Sequence, residues 1–338
     1  MKNRVISVIA LCAILACSMS VFVFAFVLHG GDLETSELSV SASGVTRVLI
    51  AGLDESGSHT DVLMLFSASA EDGSVGVMQI PRDTYVRYEG SEGKINRLYR
   101  ECVSKYGQKS GAEKFKQAVE TFFDIPIDAY AIFHTEALET LVDSFGGVEL
   151  TVPHKMDYRD KSGISRTLES GTRLLNGEEA LAYVRHRSSY AEGDLGRLDA
   201  QMRFIAAVAQ RLPQLKFPKQ YLEICQKNLP NLLTNLGQKD IINLIAVYLK
   251  NRDALSLRIM RLPGEACLEG GVWYYVLNRA ATENMLSSEL GRGAQDPFDG
   301  ERLFTRNSEA FTNIYLAPNT SYRVYSAEEA REAKVLHK

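Results

Sequence analysis

The stretch Val48 to Phe66, VLIAGLDESGSHTDVLMLF, decides how this chain folds. Its two ends are short apolar runs, Val48 to Leu53 and Val62 to Phe66, and they read as strand, loop, strand. Asp54 closes the first run and Asp61 stands just before the second. Two carboxylates at the mouths of neighbouring strands suit a hard cation such as Mg²⁺, with Mn²⁺ as the alternative, because such an ion takes one or two carboxylates and fills its other positions with water and phosphate oxygens. The same aspartates also serve as turn formers or caps in ordinary loops, and Gly57 and Ser58 between them fit that reading.

Working outward, Leu63–Ser69 and Val75–Ile80 read as strands joined by a turn at Asp72-Gly73. Ala112 to Phe123 carries Phe115, Val119 and Phe122 at helical spacing, with Pro126 soon after its end. Tyr130 to Phe133 reads as a strand, and Glu136 to Phe145 as a helix stopped by Gly146-Gly147. Asn176 with Glu179 three residues on forms a capping-box start, sending a helix toward Tyr183. A further helix, about Leu195 to Leu212, follows. This alternation predicts an α/β fold.

Charge is concentrated at two further places along this pattern. Pro81-Arg82-Asp83-Thr84 closes the third strand, with Arg87, Lys94 and Asn96 soon after. The stretch Tyr183 to Gln201, YVRHRSSYAEGDLGRLDAQ, holds Arg185, Arg187, Asp194, Arg197 and Gln201. Each guanidinium is a planar, permanently charged fork that can bond two oxygens at once, so such a set suits a diphosphate. A solvated basic helix making surface ion pairs is the plainer alternative.

The GLD turn (Gly52 to Asp54), Thr60-Asp61, Ile80 to Asp83, Lys94 to Asn96, LNGEEALAYVRHR (Leu175 to Arg187) and the D-x-x-R-x-x-x-Q ending at Gln201 together resemble the LytR-CpsA-Psr family. The similarity runs from about Thr46 to Leu212, with an echo through Thr234-Asn235-Leu236 and Leu262-Pro263-Gly264 to about Leu290. It implies a central mixed β-sheet flanked by helices. It also implies a membrane-anchored phosphotransferase that moves a glycopolymer from a polyprenyl-diphosphate carrier onto a cell-wall acceptor, usually a peptidoglycan hydroxyl. By the same resemblance Asp54 and Asp61 match the family's metal-binding aspartates, and Arg82, Arg185, Arg187 and Arg197 its diphosphate-binding arginines. Asp83, Lys94, Asn96, Asp194 and Gln201 fall on polar positions of the same pocket. Two positions depart from the pattern: His59 stands where an arginine is usual, and so does Ala200, which reads as a lost helix-surface contact. His59 either faces the pocket or turns outward from a short loop.

Phosphoryl transfer asks the protein for cations that offset oxygen charge and for a base that takes the acceptor's proton. Asp83, Asp194 and a metal-held water are the alternatives for that base. Each of Asp54→Ala and Asp61→Ala is expected to remove most activity and to leave the fold nearly intact. A polyprenyl tail would need an apolar cavity, for which Phe115 to Phe123, Leu138 to Phe145 and Met202 to Val208 are candidate linings, with ordinary core as the alternative. His134, His154 and His186 show no ligand spacing, and His186 is expected to point away from the pocket. A hydrolase with water as acceptor would use the same groups. A non-catalytic lipid-binding scaffold would dispense with Asp54 and Asp61, and a transcriptional attenuator would need access to DNA, for which no helix-turn-helix pattern is present.

The N-terminus places the chemistry. Val5 to Leu28 is an uncharged stretch of 24 residues, longer than the roughly 20 needed to cross a bilayer. Lys2 and Arg4 precede it and Asp32, Glu34 and Glu37 follow, so residues 1–4 are read as cytoplasmic, 5–28 as a single-pass anchor, 29–45 as a tether and everything beyond as extracytoplasmic. The lipoprotein-like Ile14-Leu15-Ala16-Cys17 is opposed by the apolar run Val21 to Leu28 after its cysteine. The domain is drawn over 46–290, with 291–338 an extension that has no motif. A net charge of −4 gives no overall affinity for nucleic acid or anionic lipid, so positive field must be local. Cys102, Cys225 and Cys267 lie outside the anchor and show no metal spacing, which leaves at most one disulfide. The topology is open to test by protease added to cells whose wall has been opened: an epitope after Lys338 should be cut and one before Lys2 protected. The reverse labelling would contradict the anchor.

Overall fold

The computed structural model describes residues 45–69, 73–89, 91–190, 193–211, 232–236, 256–290 and 322–332. The anchor and most of the tether, together with Cys225, lie outside them, and among the described residues no helix is long and apolar enough to cross a membrane. The chain order is β1 (Val45–Leu53), β2 (Thr60–Ser69), β3 (Ser74–Gln79), β4 (Tyr85–Tyr88), β5 (Ser91–Lys94), α1 (Leu98–Tyr106), α2 (Gln108–Phe123), β6 (Ala129–Phe133) and α3 (Thr135–Ser144). It continues with β7 (Val148–Val152), β8 (Met156–Arg159), β9 (Ser165–Leu168), β10 (Gly171–Leu175), α4 (Gly177–Arg185) and α5 (Asp194–Arg211). The remaining described elements are β11 (Leu232–Thr234), β12 (Ser256–Arg261), β13 (Gly264–Glu269), β14 (Val272–Leu277), α6 (Arg279–Glu289), β15 (Val324–Ser326) and α7 (Ala327–Glu332).

The central sheet runs β11-β6-β1-β2-β3-β12-β15 and is mixed as expected: β1 pairs parallel with β6 and β3 with β12, and the other pairs are antiparallel. The run at Val48 lacks polar alternation because both faces of β1 are covered. Leu49, Ala51 and Leu53 pack with Phe115, Val119, Phe122 and Phe123 of α2, whereas Val48 and Ile50 pack with Met202, Ile205 and Ala206 of α5. Phe115 to Phe123 is therefore core on the α2 side of the sheet and does not line the apolar cavity described below. A third cluster joins α3, α4 and α5 to the β7–β10 ribbon through Val142, Phe145, Tyr183 and Val208.

Local signals read from the sequence set several boundaries. Asn176 accepts from the Glu179 amide and Glu179 reaches back to the Asn176 amide, a complete capping box that starts α4. Gly146 and Gly147, at φ +72 and +99, let the chain leave α3. Helix α1 carries no comparable signal in the sequence and was not anticipated. The segment after Gly291, which had no motif, adds the edge strand β15 against β12 and buries Ala330 of α7. Buried Arg47 donates to the Leu290 carbonyl at 3.2 and 2.8 Å, holding the end of α6 against the start of β1.

Gly177 is a tight joint on the path to the charged pocket, because a Cβ there would collide with the backbone carbonyl of Glu139 in α3. Gly177→Ala should destabilise the domain by about 1–3 kcal/mol, the usual range for overpacking, read as a lower denaturant midpoint. An unchanged midpoint would show that α3 and α4 separate freely.

Candidate active site

Four chain segments converge on one charged cavity of about 510 Å³, lined by Asp54, Glu55, Ser56, His59, Asp61, Arg82, Asn96, Arg185 and Arg187. The loop between β1 and β2 is tied by Asp54, whose Oδ1 accepts from Ser56 Oγ at 2.8 Å, the Ser58 amide at 3.0 Å and the His59 amide at 3.2 Å. Burial alone would raise the Asp54 pKa, but these hydrogen bonds and the His59 charge outweigh it and hold the carboxyl below its ordinary value. His59 Nδ1 lies 3.4 Å from Asp54 Oδ2, so the histidine faces the pocket and does not turn away from it. Gly57, at φ +68, supplies the left-handed step that closes this loop.

Beyond the loop, Asp61 and Asp194 hold three guanidiniums between them. Arg82 Nη1 donates to Asp61 Oδ1 at 2.6 Å, and Arg187 Nη2 and Arg197 Nη1 each lie 3.7 Å from the same oxygen. Asp194 Oδ1 sits 3.3 Å from Arg82 Nε, 3.5 Å from Arg187 Nε and 3.0 Å from Arg197 Nη2. The Arg197 side chain is only 1% exposed, and that burial, with Arg82 and Arg187 nearby, pushes its pKa down to about 10 despite the two aspartates. Burial pulls Arg82 the same way, yet Asp194 and Asp61 win there and its pKa is raised.

The hydrogen bonding of this cluster is incomplete. Among the described residues, the buried side-chain atoms with no hydrogen-bond partner include Arg82 Nε, Arg197 Nε, Arg197 Nη1, Asp83 Oδ1, Asp194 Oδ1 and Gln201 Oε1. Buried polar groups are ordinarily satisfied, so this mix of guanidinium nitrogens and carboxylate and amide oxygens gives the cluster hydrogen-bonding capacity that its own members do not fill.

The backbone explains why Arg185 and Arg187 share a cavity. Helix α4 ends at Arg185, His186 is extended (φ −61, ψ 141), and residues two apart in extended chain point the same way. His186 turns to Ser189 Oγ at 2.7 Å and packs edge-on against Tyr190, as expected, and burial lowers its pKa. Arg185 pairs with Glu55 at 2.5 Å and stands apart from the three-arginine cluster. Lys94 is one step out, on Asp83 at 3.0 Å. Asn96 lines the cavity, and Gln201 sits deeper, donating to the Val184 carbonyl at 3.4 Å. Glu55 and Ser56 were not singled out from the sequence. Their position between Asp54 and Asp61 was the signal available.

Behind Gln201 lies a narrow apolar cavity of about 70 Å³, lined by Ile50, Val62, Met64, Phe66, Phe133, Leu138, Leu141, Phe204 and Ile205 among others. Of the α3 and α5 stretches considered as linings, Leu138, Leu141, Phe204 and Ile205 border this cavity, whereas Val142, Phe145, Met202 and Val208 are core. A small connecting space touches both regions, with Asp61, Arg185 and Arg197 on one side and Val62, Phe133 and Leu138 on the other.

The LytR_cpsA_psr family model matches residues 29–289. This chain belongs to the LytR-CpsA-Psr family. Polyisoprenyl-teichoic acid–peptidoglycan teichoic acid transferase TagU of Bacillus cereus is 28% identical over 261 residues, covering 74% of this chain and 80% of TagU. TagV of Bacillus subtilis is 28% identical over 238 residues, covering 67% of this chain and 58% of TagV. The structure of TagT bound to LIIa-WTA superposes with a TM-score of 0.57 at 26% identity, covering 76% of this chain and 94% of that one.

Against the family pattern, Ala200 is not on a helix surface: it is fully buried in the α3–α4–α5 cluster, where a long cation would have no room. The donor set fits a hard cation such as Mg²⁺. All three guanidiniums approach Asp61 through Oδ1, which leaves its second oxygen for an ion, and Asp54 Oδ2 meets only His59, which an ion would have to displace. Among the described residues, no three His, Cys, Asp or Glu side chains form a ready-made metal cage.

Asp61 also has a structural part that its sequence context did not reveal. Asp61→Ala should lower the melting temperature through the loss of about 1–3 kcal/mol, because it leaves Asp194 as the one carboxylate shared by Arg82, Arg187 and buried Arg197, whereas Asp54→Ala, which frees only the hydrogen bonds of a partly exposed loop, should cost less. Equal melting of both variants and the parent, followed by differential scanning calorimetry, would contradict the arrangement.

Proposed function

We propose that this chain is a membrane-anchored phosphotransferase that moves a glycopolymer from a polyprenyl-diphosphate carrier onto a peptidoglycan hydroxyl. The observation that carries this reading is the Arg82, Arg187 and Arg197 cluster, in which Arg82 and Arg187 line the charged cavity and buried Arg197, with donors left open, borders the space that leads to the apolar one. A ligand with a diphosphate head and a hydrocarbon tail presents that same sequence of chemistries. Names of the relatives, which act on polyisoprenyl-linked teichoic acid and peptidoglycan, support the same substrate classes.

Arg82, Arg187 and Arg197 would bind the non-bridging oxygens, and Arg185, freed from Glu55, would reach the outer phosphate. The acceptor hydroxyl attacks the phosphorus that bears the glycopolymer. A new O–P bond forms as the bond to the bridging oxygen breaks, polyprenyl phosphate leaves with the electron pair, and the hydroxyl proton passes to Asp83, Asp194 or water. The arginines act by holding the phosphorus in line and offsetting charge on the oxygens. Five basic side chains (Arg82, Lys94, Arg185, Arg187, Arg197) face five carboxylates (Asp54, Glu55, Asp61, Asp83, Asp194), so the free pocket has little net attraction for an anion. A Mg²⁺ held by Asp54 and Asp61 would supply the missing positive charge and polarise a phosphate oxygen. The apolar cavity holds roughly five water-sized spheres at its present volume, so an isoprenoid tail would enter only as α3 and α5 draw apart.

Incubating the purified full chain with a polyprenyl-diphosphate glycan and Mg²⁺, with and without peptidoglycan, tests this reading. Glycan should become fixed to peptidoglycan only when the acceptor is present, and EDTA should stop it. Arg187→Lys keeps the charge and loses the fork, so kcat/KM should fall by about 1–3 kcal/mol of transition-state binding, on the scale of a charged hydrogen bond. Release of free glycan phosphate with or without acceptor would make the protein a hydrolase, and full activity in EDTA would remove the metal.

A further inference from the structure

The hairpin β13–β14 projects its tip into solvent with an apolar surface that the reaction does not use. Leu268 pairs across the strands with Trp273, and Glu269 with Val272, around a Gly270-Gly271 turn whose φ values are +57 and +78. Leu268, Val272 and Trp273 are 52%, 42% and 57% exposed, three of the five large hydrophobic side chains exposed among the described residues. The root of the hairpin is buried: Tyr275 donates from its hydroxyl to the Leu262 carbonyl at 2.8 Å, and Val276 and Leu277 are core. That root is fastened to the charged pocket, because the Tyr275 amide donates to the Asp83 carbonyl at 2.8 Å and Tyr274 packs edge-on against Tyr85 with ring centroids 5.6 Å apart.

The geometry points to this tip as a second contact with the lipid bilayer, one that sets the height of the Arg82–Asp83 loop above the headgroups. Three features select the bilayer as occupant. Only 16 residues, 29–44, separate the apolar stretch ending at Leu28 from β1, and at full extension they reach about 55 Å, so a bilayer is within range of the domain throughout. Leu268 and Val272 offer nothing to a sugar hydroxyl and much to acyl chains, while a tryptophan beside them is the residue that settles at the apolar–polar boundary. No basic residue lies between Gly264 and Leu277, and Glu265 and Glu269 are acidic, so the contact is made by apolar burial and not by attraction to anionic lipid. The inference rests on the anchor reading of Val5 to Leu28.

Trp273 is the single tryptophan of the chain, so its fluorescence reports on the tip without labelling. The full chain would be reconstituted into phosphatidylcholine vesicles whose acyl chains carry bromine, and flotation measured on the same samples. The expected result is flotation of the full chain with strong quenching of Trp273, unchanged by high salt or added anionic lipid, and much weaker quenching in the Leu268→Ser, Val272→Ser double variant, which should still float. Floating protein with Trp273 unquenched would overturn the hairpin contact and leave the anchor standing. Quenching lost at high salt would overturn apolar burial as its basis. Emission that ignores lipid but shifts on adding peptidoglycan glycan strands would make the tip an acceptor platform instead, and a chain that fails to float would remove anchor and contact together.

Discussion

Three guanidiniums packed around two carboxylates are the constraint on which the rest of this structure depends. Arg82, Arg187 and Arg197 repel one another, and Arg197 is almost wholly out of water, so the group holds together only because Asp61 and Asp194 each touch all three. Buried ion pairs recover little net stability once desolvation is counted. The hydrogen-bonding capacity they leave open is what the proposed ligand would use. A diphosphate in the cavity would complete the hydrogen bonding that the protein leaves open.

The fold delivers those five groups from distant parts of the chain. Asp61 opens β2, Arg82 follows β3, Arg187 follows α4, and Asp194 and Arg197 form the first turn of α5. Their relative positions are fixed by a sheet buried on both faces, with α2 on one side and α5 on the other. The same α5 that carries Arg197 into the arginine cluster presents Gln201, Phe204 and Ile205 to the apolar cavity.

Much of this was legible in the sequence because the signals are local. The unbroken apolar run at Val48 announces a doubly covered strand, Asn176 and Glu179 close a capping box within one turn, and Arg185 and Arg187 share a side wherever the backbone is extended. Other features depend on contacts far apart in sequence. Nothing in D-x-x-R distinguishes a solvated ion pair from a buried one, and Arg197 becomes buried only because β2 brings Asp61 beside it from 136 residues upstream. Ala200 read as a surface position for the same reason, until the β7–β10 ribbon covered it. Helix α1 is short and starts without a side-chain cap, the β13–β14 hairpin is held by tertiary packing at its root, and β15 adds an edge strand from a segment with no motif.

The central claim is that the buried arginines recognise the diphosphate head of a lipid-linked ligand. Calorimetric titration of the full chain with a short-chain polyprenyl diphosphate, the matching monophosphate and the free alcohol tests it most directly, since the three share a tail and differ only at the head. The account predicts tightest binding for the diphosphate, at least tenfold weaker binding for the monophosphate, corresponding to about 1.4 kcal/mol, and little for the alcohol. Alcohol and diphosphate binding with equal affinity would contradict it.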